Sequence, residues 1–279
     1  MTGMREFARA SVRGVLRGVG LLRANRASCL VREEFEPVRS IALPGGRLLR
    51  FAAPNLVARH RAVTLFEKEP ETIAWIDGFG ERDVLFDVGA NVGTYSIYAG
   101  ARGHRVIAVE PESGNYALLN RNIALNGLDR LVTAYCAGLS ENNGLFELNL
   151  STTQSGNSQH QLGAATDFVG HAFEPAFRQG AVGFTLDALV ATCGVMPNHL
   201  KIDVDGLEAS VLRGGAATIA SVELRSILIE LNDARPDHRA AAAWLGGQGF
   251  REAVRGQSEM TAQGRYADCF NCVWRRERT

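Results

Sequence analysis

The stretch Phe86-Asp87-Val88-Gly89-Ala90-Asn91-Val92-Gly93-Thr94 holds the residues best spaced for ligand chemistry. It follows an apolar run, Val84–Val88, and opens a segment with helical spacing. Glycines at such a turn let the backbone approach a ligand and leave helix N–H groups free to meet it. Glu110 ends the next apolar run, 21 residues after Gly89. A carboxylate there is placed to accept both hydroxyls of a ribose. A dinucleotide site puts a glycine in the middle of G-x-G-x-x-G to admit the pyrophosphate. This turn reads Gly89-x-x-x-Gly93, with Asn91 at that middle position. Asp87, just ahead of the turn, repels phosphate and attracts an ammonium group. A nucleoside that bears an amino acid fits both facts, and S-adenosylmethionine is that molecule.

A second group of ionisable residues lies in Leu200-Lys201-Ile202-Asp203-Val204-Asp205-Gly206-Leu207-Glu208. Lys201 interrupts an apolar run. Lys68 is the only other lysine, so 28 of the 30 basic residues are arginine. Lysine can lose its charge and arginine cannot. An alcohol is a poor nucleophile until it sheds its proton, so a base or a metal is desirable. Asp203 is the leading candidate for the base, with Asp205 and Glu208 beside it and Lys201 as partner or steering group. The same acids also suit a helix N-terminus, whose dipole favours them. With Glu230, Asn232 and Asp233 they offer oxygen ligands of the kind Mg²⁺ takes. Mg²⁺ is therefore a second candidate cofactor, with no ligand set assigned. His160 and His171 fall in a long segment able to cover an acceptor, and either can titrate near neutral pH. The side chains of Cys269-x-x-Cys272 would face opposite sides of a strand, which argues for a buried strand over a metal site.

The elements that position these groups alternate. Strands are expected at Val84–Val88, Arg105–Val109, Leu131–Cys136, Leu200–Val204, Ser226–Leu231 and Cys269–Trp274. Helices are expected at Thr94–Gly100, Ser113–Leu125 with a serine cap, Leu186–Cys193, from Leu207, and over Asp237–Leu245. Ser151–Gly163 reads as an extended loop, and Val182–Thr185 as a short strand. Alternation of this kind implies an α/β fold with a mostly parallel sheet covered on both faces. Upstream, Val38–Leu43, Pro44-Gly45-Gly46 and Arg47–Phe51 form a hairpin pattern, followed by a helix near Glu69–Asp77 with Pro70 in its first turn. Arg5, Arg9, Arg13 and Arg17 recur along an amphipathic helical pattern in residues 1–28. That arm suits packing on the body, or peripheral contact with an anionic membrane. The expected division is an arm (1–30), a hairpin and helix (31–80) and a main domain (81–279).

Composition narrows the class. The chain has 279 residues, 46% hydrophobic and 22% charged, which is enough apolar material for a core. No run reaches the ~18 apolar residues of a spanning helix. Thirty basic and thirty acidic residues cancel, which disfavours nucleic acid as the partner. Five cysteines, odd in number and mostly in apolar contexts, argue against a disulfide scaffold and fit a cytoplasmic, reducing compartment.

Four blocks appear in order: Asp87–Gly93, Val109-Glu110-Pro111, Thr185-Leu186-Asp187-Ala188-Leu189 and Leu200–Glu208. Together they resemble the FkbM family of S-adenosylmethionine-dependent methyltransferases, over roughly Glu71–Asn232. The resemblance implies a Rossmann-like class I fold, with a seven-stranded, mostly parallel sheet, helices on both faces and an antiparallel last strand. It implies methyl transfer to a hydroxyl of a small molecule or glycan, of sugar or polyketide type. By position it implies that Asp87, Gly89, Ala90, Asn91 and Gly93 cradle the methionine end and that Glu110 and Pro111 meet the ribose. Leu139 and Ser140 would then lie near the adenine, and Lys201, Asp203 and Asp205 at the reacting centre. The family usually has Glu where this chain has Asp205. Competing classes are an NAD-dependent oxidoreductase, against which Asn91 argues, and a non-catalytic nucleoside-binding module, against which the intact turn argues.

Overall fold

The computed structural model describes residues 37–166, 171–257 and 266–277. The arginine-rich arm expected over residues 1–28 lies outside these. The hairpin β1 (Val38–Ala42) and β2 (Leu48–Ala52) leads to α1 (Leu56–Val63) and α2 (Pro70–Asp77). β3 (Val84–Val88), α3 (Thr94–Ala101), β4 (Arg105–Val109), α4 (Ser113–Asn126) and β5 (Val132–Tyr135) follow. The next segment holds β6 (Gly138–Leu139), β7 (Gly144–Leu150), β8 (Gln161–Leu162) and β9 (Phe177–Phe184). The chain then runs through α5 (Leu186–Cys193), β10 (His199–Ile202), α6 (Glu208–Arg213) and α7 (Ala216–Ala220). β11 (Ser226–Asn232), α8 (Pro236–Gly247), β12 (Phe250–Gly256) and β13 (Cys269–Arg276) complete it.

Seven strands form one sheet in the order β12-β13-β11-β10-β3-β4-β5. All pairs are parallel except those of β13, which runs antiparallel to β11 and β12. The mostly parallel α/β sheet expected from the alternation is present, and so is the antiparallel last strand that the resemblance implies. Its strands read as continuous apolar runs because both faces are covered. Along β3, Leu85 packs into the layer with the hairpin and α2–α4. Phe86 and Val88 pack into the opposite layer with α5–α8. Burying such a side chain contributes about 1.5–3 kcal/mol.

Several elements differ from expectation. Glu112, not Ser113, caps α4: its carboxylate accepts from the N–H groups of Gly114 (2.8 Å) and Asn115 (2.6 Å). The segment expected as an extended loop contributes to a second sheet, ordered β6-β9-β7-β8. Phe146, Leu148 and Leu162 pack on its inner side, while Leu145 faces solvent. β9 carries Gly180 and Gly183 and a weak alternation, so pairing with β7 is what orders it. Residues 39–279 pack as one compact unit, so the hairpin and first helices lie against the sheet. Ala52 N–H donates to Asn122 Oδ1 (2.8 Å), and Asn126 Nδ2 donates to Arg50 O (2.7 Å). These bonds tie the hairpin to α4.

At the N-terminal ends of the strands, His199 contacts Asp83 Oδ2 (2.9 Å) and Ser226 Oγ (2.7 Å), and Trp75 Nε1 also donates to Ser226 Oγ. The order resembles a charge relay, but Ser226 is only 2% exposed, so the cluster is a buried fastening. No helix among the described residues is long and apolar enough to cross a membrane.

Candidate active site

A cleft of about 230 Å³ opens at the C-terminal ends of β3, β4, β10 and β11. That is where parallel α/β sheets place ligands. The turn after β3 forms its floor. Gly89 has φ +82°, and a Cβ there would stand 1.8 Å from the carbonyl oxygen of Asp203. The turn can therefore lie against the end of β10 only because residue 89 is glycine.

Asp87, Gly89, Ala90, Asn91, Glu110, Pro111 and Leu139 all line the cleft. Asp87 is 1% exposed; its Oδ2 accepts from Ser96 Oγ at 2.5 Å, and its buried Oδ1 has no hydrogen-bond partner. Burial raises its carboxyl while the nearby Lys201 ammonium and the Ser96 hydroxyl oppose that. The orphaned oxygen suits an ammonium donor. Glu110 accepts from the N–H groups of Asn91 (2.8 Å) and Glu112 (2.9 Å). A carboxylate has about four acceptor positions, and although the Asn115 side chain also reaches Glu110, acceptor capacity remains for a hydroxyl. Burial pushes the Glu110 carboxyl up to about 7, against the pull of those two N–H groups.

Asn91 also has a structural part. Its side chain donates to Asn157 O (2.7 Å), so it holds down the segment that roofs the cleft. Asn115 joins it, accepting from Gly156 N–H at 2.6 Å. Gly93 and Ser140 stand outside the cleft. A Cβ at Gly93 would come within 2.2 Å of Leu119 Cδ1, so this glycine lets α3 pack on α4. Ser140 donates its N–H to Phe184 O and its hydroxyl to Asn142 O, which extends the β6–β9 pairing.

The other end of the cleft is dense with charge. Lys201, 2% exposed, donates from Nζ to Asp203 Oδ2 at 2.7 Å and sits 5.5 Å from the centre of the Tyr95 ring. Burial would lower its ammonium, but Asp203, Asp87 and Glu69 outweigh it and hold it above the usual range. Burial would raise Asp203, yet Lys201 and Lys68 bring its carboxyl below the usual range. A depressed, ion-paired carboxylate is a weak base, which counts against the role expected for Asp203. Asp205 has φ +56° and accepts from Gln159 N–H at 2.6 Å through Oδ2. Its carboxyl is pushed up to about 6 by burial and by Asp203, and it lines the cleft. Glu208 does not line this cleft. It is 1% exposed and accepts from the N–H groups of Val204 (3.0 Å) and Gly206 (3.1 Å), so it shapes the turn.

Three groups here were missed in the sequence. Lys68 and Glu69, paired at 2.5 Å, come from the α1–α2 turn, and Arg61 comes from α1; all three line the cleft. The available signal was that Lys68 is one of just two lysines, and both enter this cleft. His160 lines it also, while His171 does not. Ser151 N–H donates to His160 Nδ1 at 3.4 Å, so neutral His160 carries its proton on Nε2 and serves as a donor. Burial lowers its imidazole below the usual range.

The Mg²⁺ expectation finds no support. Among the described residues no group of three or more His, Cys, Asp or Glu side chains is arranged to hold a metal. Lys201 already supplies the cation between Asp203, Asp87 and Glu69. Asp233 instead pairs with Arg255 at 2.7 Å, and Asn232 lines a separate small void with His238 and Glu208. Cys269 and Cys272 are buried free thiols, each pushed up to about 12 first by burial.

Comparison with known proteins places this geometry. "Methyltransferase 1" of Beauveria bassiana (strain ARSEF 2860) is 25% identical over 189 residues, covering 63% of this chain and 75% of that protein. An rRNA methylase from Streptococcus thermophilus covers 75% of this chain and 95% of its own, at 10% identity and a TM-score of 0.46. The precorrin-6y C5,15-methyltransferase of Geobacter metallireducens GS-15 covers 81% and 93%, at 16% identity and a TM-score of 0.41. Neither structural likeness bears on what this chain methylates. Residues 87–252, more than half the chain and including both ends of the cleft, match the methyltransferase FkbM domain, and the chain belongs to the FkbM methyltransferase family.

Proposed function

We propose that the protein transfers a methyl group from S-adenosylmethionine to a hydroxyl of a small molecule or glycan. Family membership implies the donor and sets aside the oxidoreductase and the non-catalytic module. Asp87 Oδ1 would accept from the methionine ammonium, and the remaining acceptor capacity of Glu110 would serve the ribose hydroxyls. When bound, the cofactor supplies an activated methyl group, so the protein has chiefly to align an oxygen and take its proton.

The observation that carries the O-directed reading is Asp205. One of its oxygens is fixed by Gln159 N–H, and the other makes no hydrogen bond with a described residue at the polar end of the cleft. Its carboxyl, pushed up to about 6, suits a proton acceptor near neutral pH. The Lys201–Asp203 pair would fix the field around the reacting oxygen. The roof from the second sheet leaves a confined room, which fits a small acceptor better than a base within a folded RNA. The neutral overall charge also favours that choice.

The test is transfer of labelled methyl from S-adenosylmethionine to panels of hydroxylated sugars and polyketides, and to bulk tRNA and rRNA. Alkali-stable label on a hydroxyl supports the proposal; label on RNA bases alone refutes it. The arm at residues 1–28 is proposed as a peripheral contact with anionic membranes.

A further inference from the structure

Arg61 and Lys68 reach the cleft from outside the family-matched region, which starts at residue 87. Arg61 donates from Nε to Gly156 O in the roof. Its two Nη groups have no hydrogen bond or ion pair with any described residue. Lys68 uses one of its three donors on Glu69, and its side chain is 33% exposed toward the cleft. The Glu69 carboxylate balances the Lys68 charge at 2.5 Å; no acid among the described residues lies within salt-bridge distance of Arg61. Two cations side by side repel: burial and Arg61 both work to lower the Lys68 ammonium, and Glu69 with Asp203 holds it above its usual range.

Their location decides which ligand they meet. Arg61 holds the roof at Gly156, three residues before Gln159, whose N–H donates to Asp205 Oδ2, and both Arg61 and Lys68 pull against burial at Asp203 and Asp205. The free guanidinium edge is a planar fork that matches two oxygens of a carboxylate or phosphate.

We propose that Arg61 and Lys68 form an anion-receiving corner of the acceptor site, so that the methylated molecule carries a carboxylate or phosphate near its reactive hydroxyl. This rests on the reading of the cleft as a site for a small hydroxylated acceptor. An anion seated there accepts from the Arg61 Nη pair and the spare Lys68 donors, and removes the repulsion between them. The carboxylate of S-adenosylmethionine is the one other source of the same chemistry.

Inorganic phosphate serves as the probe. Its binding to the full chain is measured by calorimetry, alone and saturated with S-adenosylhomocysteine, for the parent, Arg61→Gln and Arg61→Lys. Thermal melts confirm that each variant folds. The expected result is millimolar phosphate binding that survives saturation with S-adenosylhomocysteine. Arg61→Gln should weaken it about tenfold or more, the scale of charged hydrogen bonds, while Arg61→Lys keeps most of it. Affinity for S-adenosylhomocysteine should be the same in all three. Equal phosphate binding by parent and Arg61→Gln overturns the corner. So does loss of phosphate binding on saturation together with weaker S-adenosylhomocysteine binding by Arg61→Gln, which assigns the corner to the cofactor carboxylate. A parent that does not bind S-adenosylhomocysteine at all fails the functional reading, whereas one that binds it but shows no Arg61-dependent phosphate binding fails only the corner.

Discussion

Raising the pH from about 6 to about 8 should strengthen S-adenosylhomocysteine binding about tenfold, and Glu110 should be the cause. Its buried carboxyl titrates at about 7 in the free protein. Asn91 and Glu112 N–H groups occupy two of its acceptor positions at 2.8 and 2.9 Å. Ribose hydroxyls would take the remaining acceptor capacity, which is complete only in the ionised form. About one-tenth of the free protein is ionised at about pH 6 and about nine-tenths at about pH 8. Binding therefore gains about tenfold across that window, levels off above it, and releases a proton below it. Calorimetry in two buffers of different ionisation enthalpy counts that proton. Glu110→Gln should flatten the profile and weaken binding by about 1.5–3 kcal/mol at high pH. The same group acts on folding with the opposite slope. Its folded value lies above the ordinary 4.5, so its contribution to stability is full below about 4.5 and is lost as pH rises through about 7. That loss is roughly 3 kcal/mol for the unliganded protein, and Glu110→Gln should abolish it. A flat binding profile in the parent, matched by Glu110→Gln, would refute the ribose assignment and the linkage together.

Asp205→Asn keeps a residue that tolerates positive φ and can still accept from Gln159 N–H. It should lower kcat by roughly 10²–10⁴ and erase the pH-rate limb near 6, with S-adenosylhomocysteine affinity unchanged; full turnover would remove Asp205 from the chemistry. EDTA should leave parent turnover unchanged, because Lys201 supplies the local cation; inhibition reversed by Mg²⁺ would contradict this. Gly89→Ala should cost about 2–4 kcal/mol in urea unfolding, since its Cβ meets the Asp203 carbonyl at 1.8 Å. A cost under about 1 kcal/mol would mean the β3 turn does not press on β10. Removing residues 1–28 should preserve S-adenosylhomocysteine binding and abolish salt-sensitive binding to anionic vesicles; vesicle binding that persists would exclude the arm as the contact.

The parallel core was legible because its strands are short apolar runs bounded by turn residues. Val84–Val88, Arg105–Val109 and Leu186–Cys193 end where the sequence pattern ends. Elements with weak or mixed patterns were not legible. Just the end of β9 was expected, as Val182–Thr185, and pairing with β7 orders the rest, while α1 has little apolar face to announce it, burying just Ala58 and Ala62. The cap of α4 shifted by one residue because Glu112 reaches the free N–H groups as well as a serine would.

The cofactor end of the site is local chemistry. One turn and the end of the next strand carry Asp87, Gly89, Asn91 and Glu110, so spacing along the chain was enough to place them around one ligand. The acceptor end is built from groups far apart in the chain. Lys68 and Glu69 meet Lys201 and Asp203 only because α1, α2 and the hairpin pack against the sheet. That packing also divides the roles of two neighbouring acids. Asp203 lies within reach of a buried ammonium and is held ionised, while Asp205, two residues on, turns through positive φ toward the roof and is not. Sequence determined which carboxylates stand at the strand end and set Lys201 two residues from Asp203; the burial and the distant charges that tertiary packing brings to each acid, Lys68 and Arg61 among them, decided how readily it takes a proton.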